Sequence, residues 1–100
     1  MRAALIQMPV TANKRTNIET ASRKLREAKA HGADLAILPE MFCCPYENAC
    51  FRAYGEPEGG EAQKALSVLA AELELYVVGG SIPELEGENV YNTSYVYGRR

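Results

Sequence analysis

Histidine occurs once in these 100 residues, as His31, and cysteine three times, as Cys43, Cys44 and Cys50. A structural zinc site needs about four ligands at suitable spacing, and His31 has no second ligand nearby, so no metal centre is expected. No apolar run approaches the length of a membrane-spanning helix, which argues against a membrane partner. The apolar opening, residues 3–10, is interrupted by Gln7 and Pro9 and no cleavage region follows, unlike a secretory signal. Basic residues are neither abundant nor grouped: 11 Lys and Arg stand against 13 Asp and Glu, for a net charge of −2. Phosphate backbones are bound by clustered positive charge, so nucleic acid is not an expected partner. The pair Arg99-Arg100 is too short to form a polybasic tail. The glycine doublets at 59–60 and 79–80 lack the spacing of a dinucleotide or phosphate-binding loop. Internal repeats, low-complexity tracts and linkers are absent.

What is present suits one small domain. Hydrophobic residues make up 47% of the chain, enough to build a core. An odd cysteine count without an export signal points to free thiols in a reducing compartment, hence a cytoplasmic protein.

Residues 2–8 read as a first strand, nearly continuous in apolar character, as expected for a central strand covered on both faces. Pro9 ends it. Ile18, Ala21, Leu25 and Ala28 recur at spacings of three and four, predicting a helix over 14–31 with one apolar stripe. Thr11 or Asn13 is placed to cap its start, and Gly32 to close its end. A strand follows at 35–38, and the strand–helix–strand order implies a parallel pair with a right-handed crossover. Residues 39–60 look irregular, with room for a short helix near 46–54. They hold three prolines, three glycines and the aromatics Phe42, Tyr46, Phe51 and Tyr54. Each aromatic has two readings, packing the loop onto the core or lining a pocket. Ala62, Leu66, Leu69, Ala70 and Leu73 mark a second helix over 61–74. A third strand spans 76–80, ending in glycines where another backbone or a ligand comes close. Residues 84–89 read as a polar turn around Gly87, and 90–97 as one fourth strand. The predicted order is β-α-β-α-β-β, an α/β fold. With no closing helix and a bare last strand, an open edge is expected, which is a liability; a longer parent protein is the natural reading.

The chemistry centres on Leu35-Ala36-Ile37-Leu38-Pro39-Glu40-Met41-Phe42. An apolar strand ends in a proline and a carboxylate. Ligands of open α/β sheets bind beyond the carboxyl ends of the strands, and a carboxylate enclosed there becomes a general base when burial raises its affinity for protons. The competing reading is a solvated glutamate at a turn. Cys43 and Cys44 invite a nucleophilic role, since Glu40 lies three residues away. A thiolate needs activation, however, and no oxyanion hole is evident; two small buried residues explain the pair equally well.

Four blocks resemble the N-terminal part of the nitrilase superfamily of carbon–nitrogen hydrolases. They are Ala4-Leu5-Ile6-Gln7-Met8, then Gly32-Ala33-Asp34-Leu35-Ala36-Ile37-Leu38-Pro39-Glu40-Met41-Phe42, then Gly79-Gly80-Ser81-Ile82-Pro83-Glu84, and Tyr91-Asn92-Thr93-Ser94. Pro45-Tyr46 and the third block look most like the omega-amidase-like branch, whose members release ammonia from short dicarboxylic acid monoamides.

The resemblance implies the N-terminal part of an α-β-β-α sandwich, with residues 1–100 forming an incomplete carbon–nitrogen hydrolase domain. It implies a Glu-Lys-Cys triad that needs no cofactor, a small-molecule amide substrate and a homo-oligomeric parent protein. Glu40 takes the place of the general base. The family's lysine and cysteine motifs are not in this chain, and neither Lys64 nor any of the three cysteines sits in them, so the isolated chain is expected to be inactive. Phe42 and Tyr46 are the substrate-pocket candidates.

Overall fold

Apolar residues at helical spacing build the layer on which everything else rests. Helix α1 (Lys14–Ala30) buries Ile18, Ala21, Leu25 and Ala28, the predicted stripe. Full burial of a side chain such as Leu25 contributes about 2 kcal/mol. The Asn13 side chain caps α1 by accepting from the Thr16 N–H at 3.0 Å. Buried Asn17 fastens the approach to the helix, accepting from both the N–H and the hydroxyl of Thr11 and donating to the Thr11 carbonyl. Gly32, at φ +86, turns the chain out of the helix.

The computed structural model describes residues 1–98; Arg99-Arg100 lies outside them. Strands β1 (Ala3–Leu5), β2 (Leu35–Ile37) and β3 (Tyr76–Val78) are parallel neighbours. Between β2 and β3 run α2 (Asn48–Tyr54) and α3 (Glu61–Leu73). A hairpin follows, β4 (Ile82–Glu86) and β5 (Asn89–Thr93), which forms its own two-stranded sheet. Strand β6 (Val96–Tyr97) returns to pair antiparallel with β3, giving the order β1-β2-β3-β6.

Register sorts the sheet into two faces. Ala4, Ala36, Val77 and Tyr97 form one row, pressed into the core with α1 and α3. The adjacent row, Leu5, Ile37, Val78 and Val96, lies on the opposite face. There Leu5 is 77% and Val96 69% exposed. Among the described residues β1, expected as a central strand, is an edge strand covered on one face.

Two further differences concern the C-terminal half. Residues 84–89 are strand on both sides of a tight turn at Gly87 and Glu88, because β4 begins earlier than its proline and glutamates suggested. Pro83 is tolerated because β4 lies at a margin, where its carbonyl accepts from the Glu56 N–H. The predicted single strand over 90–97 breaks at Ser94 and Tyr95. Its first half completes the hairpin, and its second half joins the main sheet, with the Gly79 N–H donating to the Tyr95 carbonyl at 2.9 Å.

A buried carboxylate ties these parts together. Glu56 is 4% exposed. One oxygen accepts from Lys14 Nζ at 2.6 Å and from the Ala62 N–H at 3.1 Å. The other accepts from the Gln63 N–H at 3.1 Å. The N-cap of α3 is Gly60, which has no side chain to offer, and Glu56 supplies the acceptor instead. A Cβ on Gly60 would lie 2.6 Å from that of Glu56, so the glycine makes room for the carboxylate. Breaking a buried pair leaves a stranded charge. Lys14→Met is therefore expected to lower unfolding free energy by about 3 kcal/mol in urea denaturation, whereas Arg26→Met, in an exposed pair with Glu72 at 3.1 Å, changes it by under about 1 kcal/mol.

Candidate active site

Glu40 is positioned by the backbone around it. Strand β2 extends its ladder by one bond, from the Leu38 N–H to the Val78 carbonyl at 3.0 Å, and Pro39 then ends the pairing. Gly80, at φ +61, packs directly on that proline: a Cβ on it would lie 2.0 Å from the Pro39 oxygen. The doubled glycine thus serves a close approach of backbone to backbone. Beyond Glu40 the chain turns through Met41, at φ +51. The Met41 N–H donates to Ser81 Oγ at 3.0 Å, and the Cys44 N–H to the Met41 carbonyl at 3.2 Å.

The turn sends its apolar side chains inward and its acid outward. Leu38, Met41 and Phe42 are buried, whereas Glu40 is exposed. The enclosure expected from its apolar sequence neighbours is therefore not formed by residues 1–98. Glu40 Oε2 accepts from Asn92 Nδ2 at 2.7 Å. Together with Leu38, Gly80, Ser81, Asn92 and Ser94 it lines an open depression of about 430 Å³ at the carboxyl end of the parallel strands. A neighbouring depression of about 420 Å³ lies between α2 and β5, with Tyr46, Phe51, Arg52 and Tyr91 in its walls. Asn92 lines both.

The two pocket candidates separate. Phe42 is completely buried and belongs to the hydrophobic core formed by the described residues. Tyr46 is 66% exposed, lines the second depression and meets Phe51 edge-to-face at 5.5 Å. Asn92 and Ser81, which hold Glu40 and its turn, went unassigned in the sequence. They sit inside the blocks that carried the resemblance, but nothing in their spacing announced contact with residues 40 and 41.

The cysteines near Glu40 are poor nucleophiles. Cys43 and Cys44 are buried and free. Burial pushes the Cys43 thiol up to about 12, with Lys14 opposing and Glu56 adding to the effect. Burial pushes the Cys44 thiol up to about 11, with Cys50 adding to it. The thiolate is the reactive form, so both are held in the inert state. Among the described residues no group of three or more His, Cys, Asp or Glu is arranged to hold a metal ion, and no helix is long and apolar enough to cross a membrane.

The sequence profile of the carbon-nitrogen hydrolase family matches residues 2–100. The chain belongs to the carbon-nitrogen hydrolase family. Among curated relatives, omega-amidase NIT2 of Bos taurus is 42% identical over 97 residues, covering 97% of this chain and 35% of the relative. The chloroplastic omega-amidase of Arabidopsis thaliana is 40% identical over 99 residues, covering 94% and 27%. Among solved structures, Saccharomyces cerevisiae Nit3, a member of branch 10 of the nitrilase superfamily, superposes with a TM-score of 0.88 at 30% identity, over 97% of this chain and 39% of that one. A CN-hydrolase superfamily protein of Xanthomonas campestris, at 24% identity and a TM-score of 0.85 over 98% and 36%, shares the fold. The α/β fold is thus that of the nitrilase superfamily, and this carbon-nitrogen hydrolase chain spans about a third of the length of the curated relatives it matches.

Two outcomes are expected from this geometry. Gly80→Ala and Gly87→Ala face the same φ of +61, but only residue 80 meets a neighbouring backbone, while nothing lies within 4 Å of a Cβ at residue 87. Gly87→Ala should cost about 1–2 kcal/mol and Gly80→Ala about 2–4 kcal/mol; equal losses in urea denaturation would refute the close-packing account. For the thiols, burial disfavours the thiolate forms of Cys43 and Cys44, whereas Cys50 is only half-buried. Alkylation of the native chain at pH 8 should label Cys50 first, with Cys43 and Cys44 reacting only after denaturation, as peptide mass spectrometry will show.

Proposed function

We propose that this chain carries the general base of an omega-amidase-like amidase, and that Glu40 is that base. The reading is carried by one observation: in a chain of this family, Glu40 stands past the end of β2, held through Asn92 at the floor of a depression at the carboxyl end of the sheet. The names of the curated relatives support the choice of branch.

In this scheme Glu40 takes the proton from a cysteine thiol supplied by polypeptide outside residues 1–100. The thiolate attacks the amide carbon, and a lysine, likewise from outside, stabilises the tetrahedral oxyanion. The C–N bond breaks, the nitrogen leaves as ammonia after receiving the proton, and a thioester remains. Water, deprotonated by Glu40, hydrolyses the thioester to the acid and restores the thiol. The substrate is a small amide, a short dicarboxylic acid monoamide, and no cofactor takes part. Residues 1–100 are then the N-terminal part of an incomplete carbon–nitrogen hydrolase domain in a cytoplasmic, homo-oligomeric protein. By itself the chain is inactive, since the triad's lysine and cysteine come from outside residues 1–100.

A chimera provides the test. The 97 matched residues of Bos taurus NIT2 are replaced by their counterparts here. Ammonia release from succinamate is expected, falling about 10²- to 10⁴-fold with Glu40→Gln, and none is expected from the isolated chain. A folded but inactive chimera, or one indifferent to Glu40→Gln, refutes the proposal. The exposed row of Leu5 and Val96 favours a second reading, a non-catalytic pairing module. An inactive chimera together with a stable complex between this chain and a full-length relative would support it.

A further inference from the structure

The depression between α2 and β5 holds a cation that no ion pair accounts for. Its walls are apolar and aromatic, formed by Met41, Tyr46, Phe51 and Tyr91, and its volume of about 420 Å³ suits a small molecule. The edge-to-face contact of Tyr46 with Phe51, at 5.5 Å and 87°, fixes one wall. Arg52 is the one charged residue in the lining. Its Nη2 donates to the Glu88 carbonyl at the tip of the β4–β5 hairpin, which restrains the guanidinium and leaves its other N–H groups for a ligand. Among the described residues Arg52 joins no salt bridge, as is true of Arg2, Arg23, Lys24, Lys29 and Lys64, but of these cations it alone lines this depression.

A restrained, uncompensated guanidinium beside aromatic walls recognises a carboxylate, whose two oxygens match its fork. Asn92 lines the same depression, and its Nδ2 donates to Glu40 Oε2 at 2.7 Å. A ligand that reaches from Arg52 to Asn92 therefore meets the residue that holds the acid. We infer that Arg52 is a specificity residue, binding the remote carboxylate of a short acyl substrate and so presenting its other end to Glu40. This rests on the reading of Glu40 as the general base and adds the residue that meets the free carboxylate of the monoamide, at the end away from the scissile bond. Because Arg52 is exposed at the rim, solvent weakens the contact; it discriminates between ligands more than it tightens them.

The test uses the 100-residue chain, ¹⁵N-labelled and titrated by NMR with glutarate, succinamate and the neutral butanamide. Glutarate and succinamate should shift the Arg52 side-chain N–H, the Asn92 side-chain amide and the backbone of Tyr46 and Tyr91, while butanamide should not. Arg52→Gln should weaken glutarate binding at least about fivefold with signal dispersion intact, and Arg52→Lys should restore part of it, since it keeps the charge but not the fork. Equal shifts with all three ligands, no shift with glutarate, or an Arg52→Gln variant that binds as before each overturn the inference. Glutarate bound at Arg52 alongside an inactive chimera discards the amidase reading and keeps the subsite. An active chimera in which Arg52→Gln leaves the succinamate KM unchanged discards the subsite and keeps the amidase reading.

Discussion

The buried pairing of Lys14 with Glu56 is the constraint on which the remaining structure depends. Taking two charges out of water costs several kcal/mol per ion unless every oxygen and proton finds a partner. Here the carboxylate takes three donors, and Lys14 Nζ also reaches the Tyr54 carbonyl at 3.0 Å. Meeting those demands fixes the start of α1, the end of α2 and the start of α3 with respect to one another. The backbone of Glu56 adds the hairpin, accepting from the Leu85 N–H at 2.9 Å and donating to the Pro83 carbonyl at 3.1 Å. One residue in an irregular stretch thereby connects four elements far apart in sequence. The pair adds little through its own attraction. It matters because any arrangement lacking one of these partners is much worse.

The parts legible in the sequence were those governed by local periodicity. Ile18, Ala21, Leu25 and Ala28 announced α1, and Ala62, Leu66, Leu69 and Ala70 announced α3, because a buried helix face must repeat every three to four residues. The place of Glu40 beyond the end of β2 was legible because an apolar run stops at Pro39. What stayed hidden was decided by distant partners. Glu56 looked like one more acid in a loop, since its value lies in a lysine 42 residues earlier. Strand β4, with Pro83 and two glutamates, has the composition of a turn and becomes extended through its pairing with β5. The break at Ser94 and Tyr95 leaves no mark, because an alternating pattern reads the same whether one strand continues or two meet.

The candidate site shows the same division. Phe42 and Glu40 lie two residues apart in one turn, and their fates are opposite: one is wholly enclosed and the other open to solvent. Sequence neighbours suggested a common environment for both. The left-handed backbone at Met41 separates them, and that conformation is set by Ser81, a residue 40 positions away. Arg52 was equally silent, because a cation on a short helix carries meaning only once the lack of a carboxylate around it is seen.

The β4–β5 hairpin holds the acid's turn from two sides. Ser81, just before β4, takes the N–H of Met41, and Asn92, within β5, takes the carboxylate of Glu40. These grips sit on the two strands at the base of one lever, whose tip carries the Glu88 carbonyl that restrains Arg52. Glu40 and Arg52 thus share one support, five residues of extended chain on each side of a tight turn, so a substitution that reshapes the hairpin would disturb the holding of both.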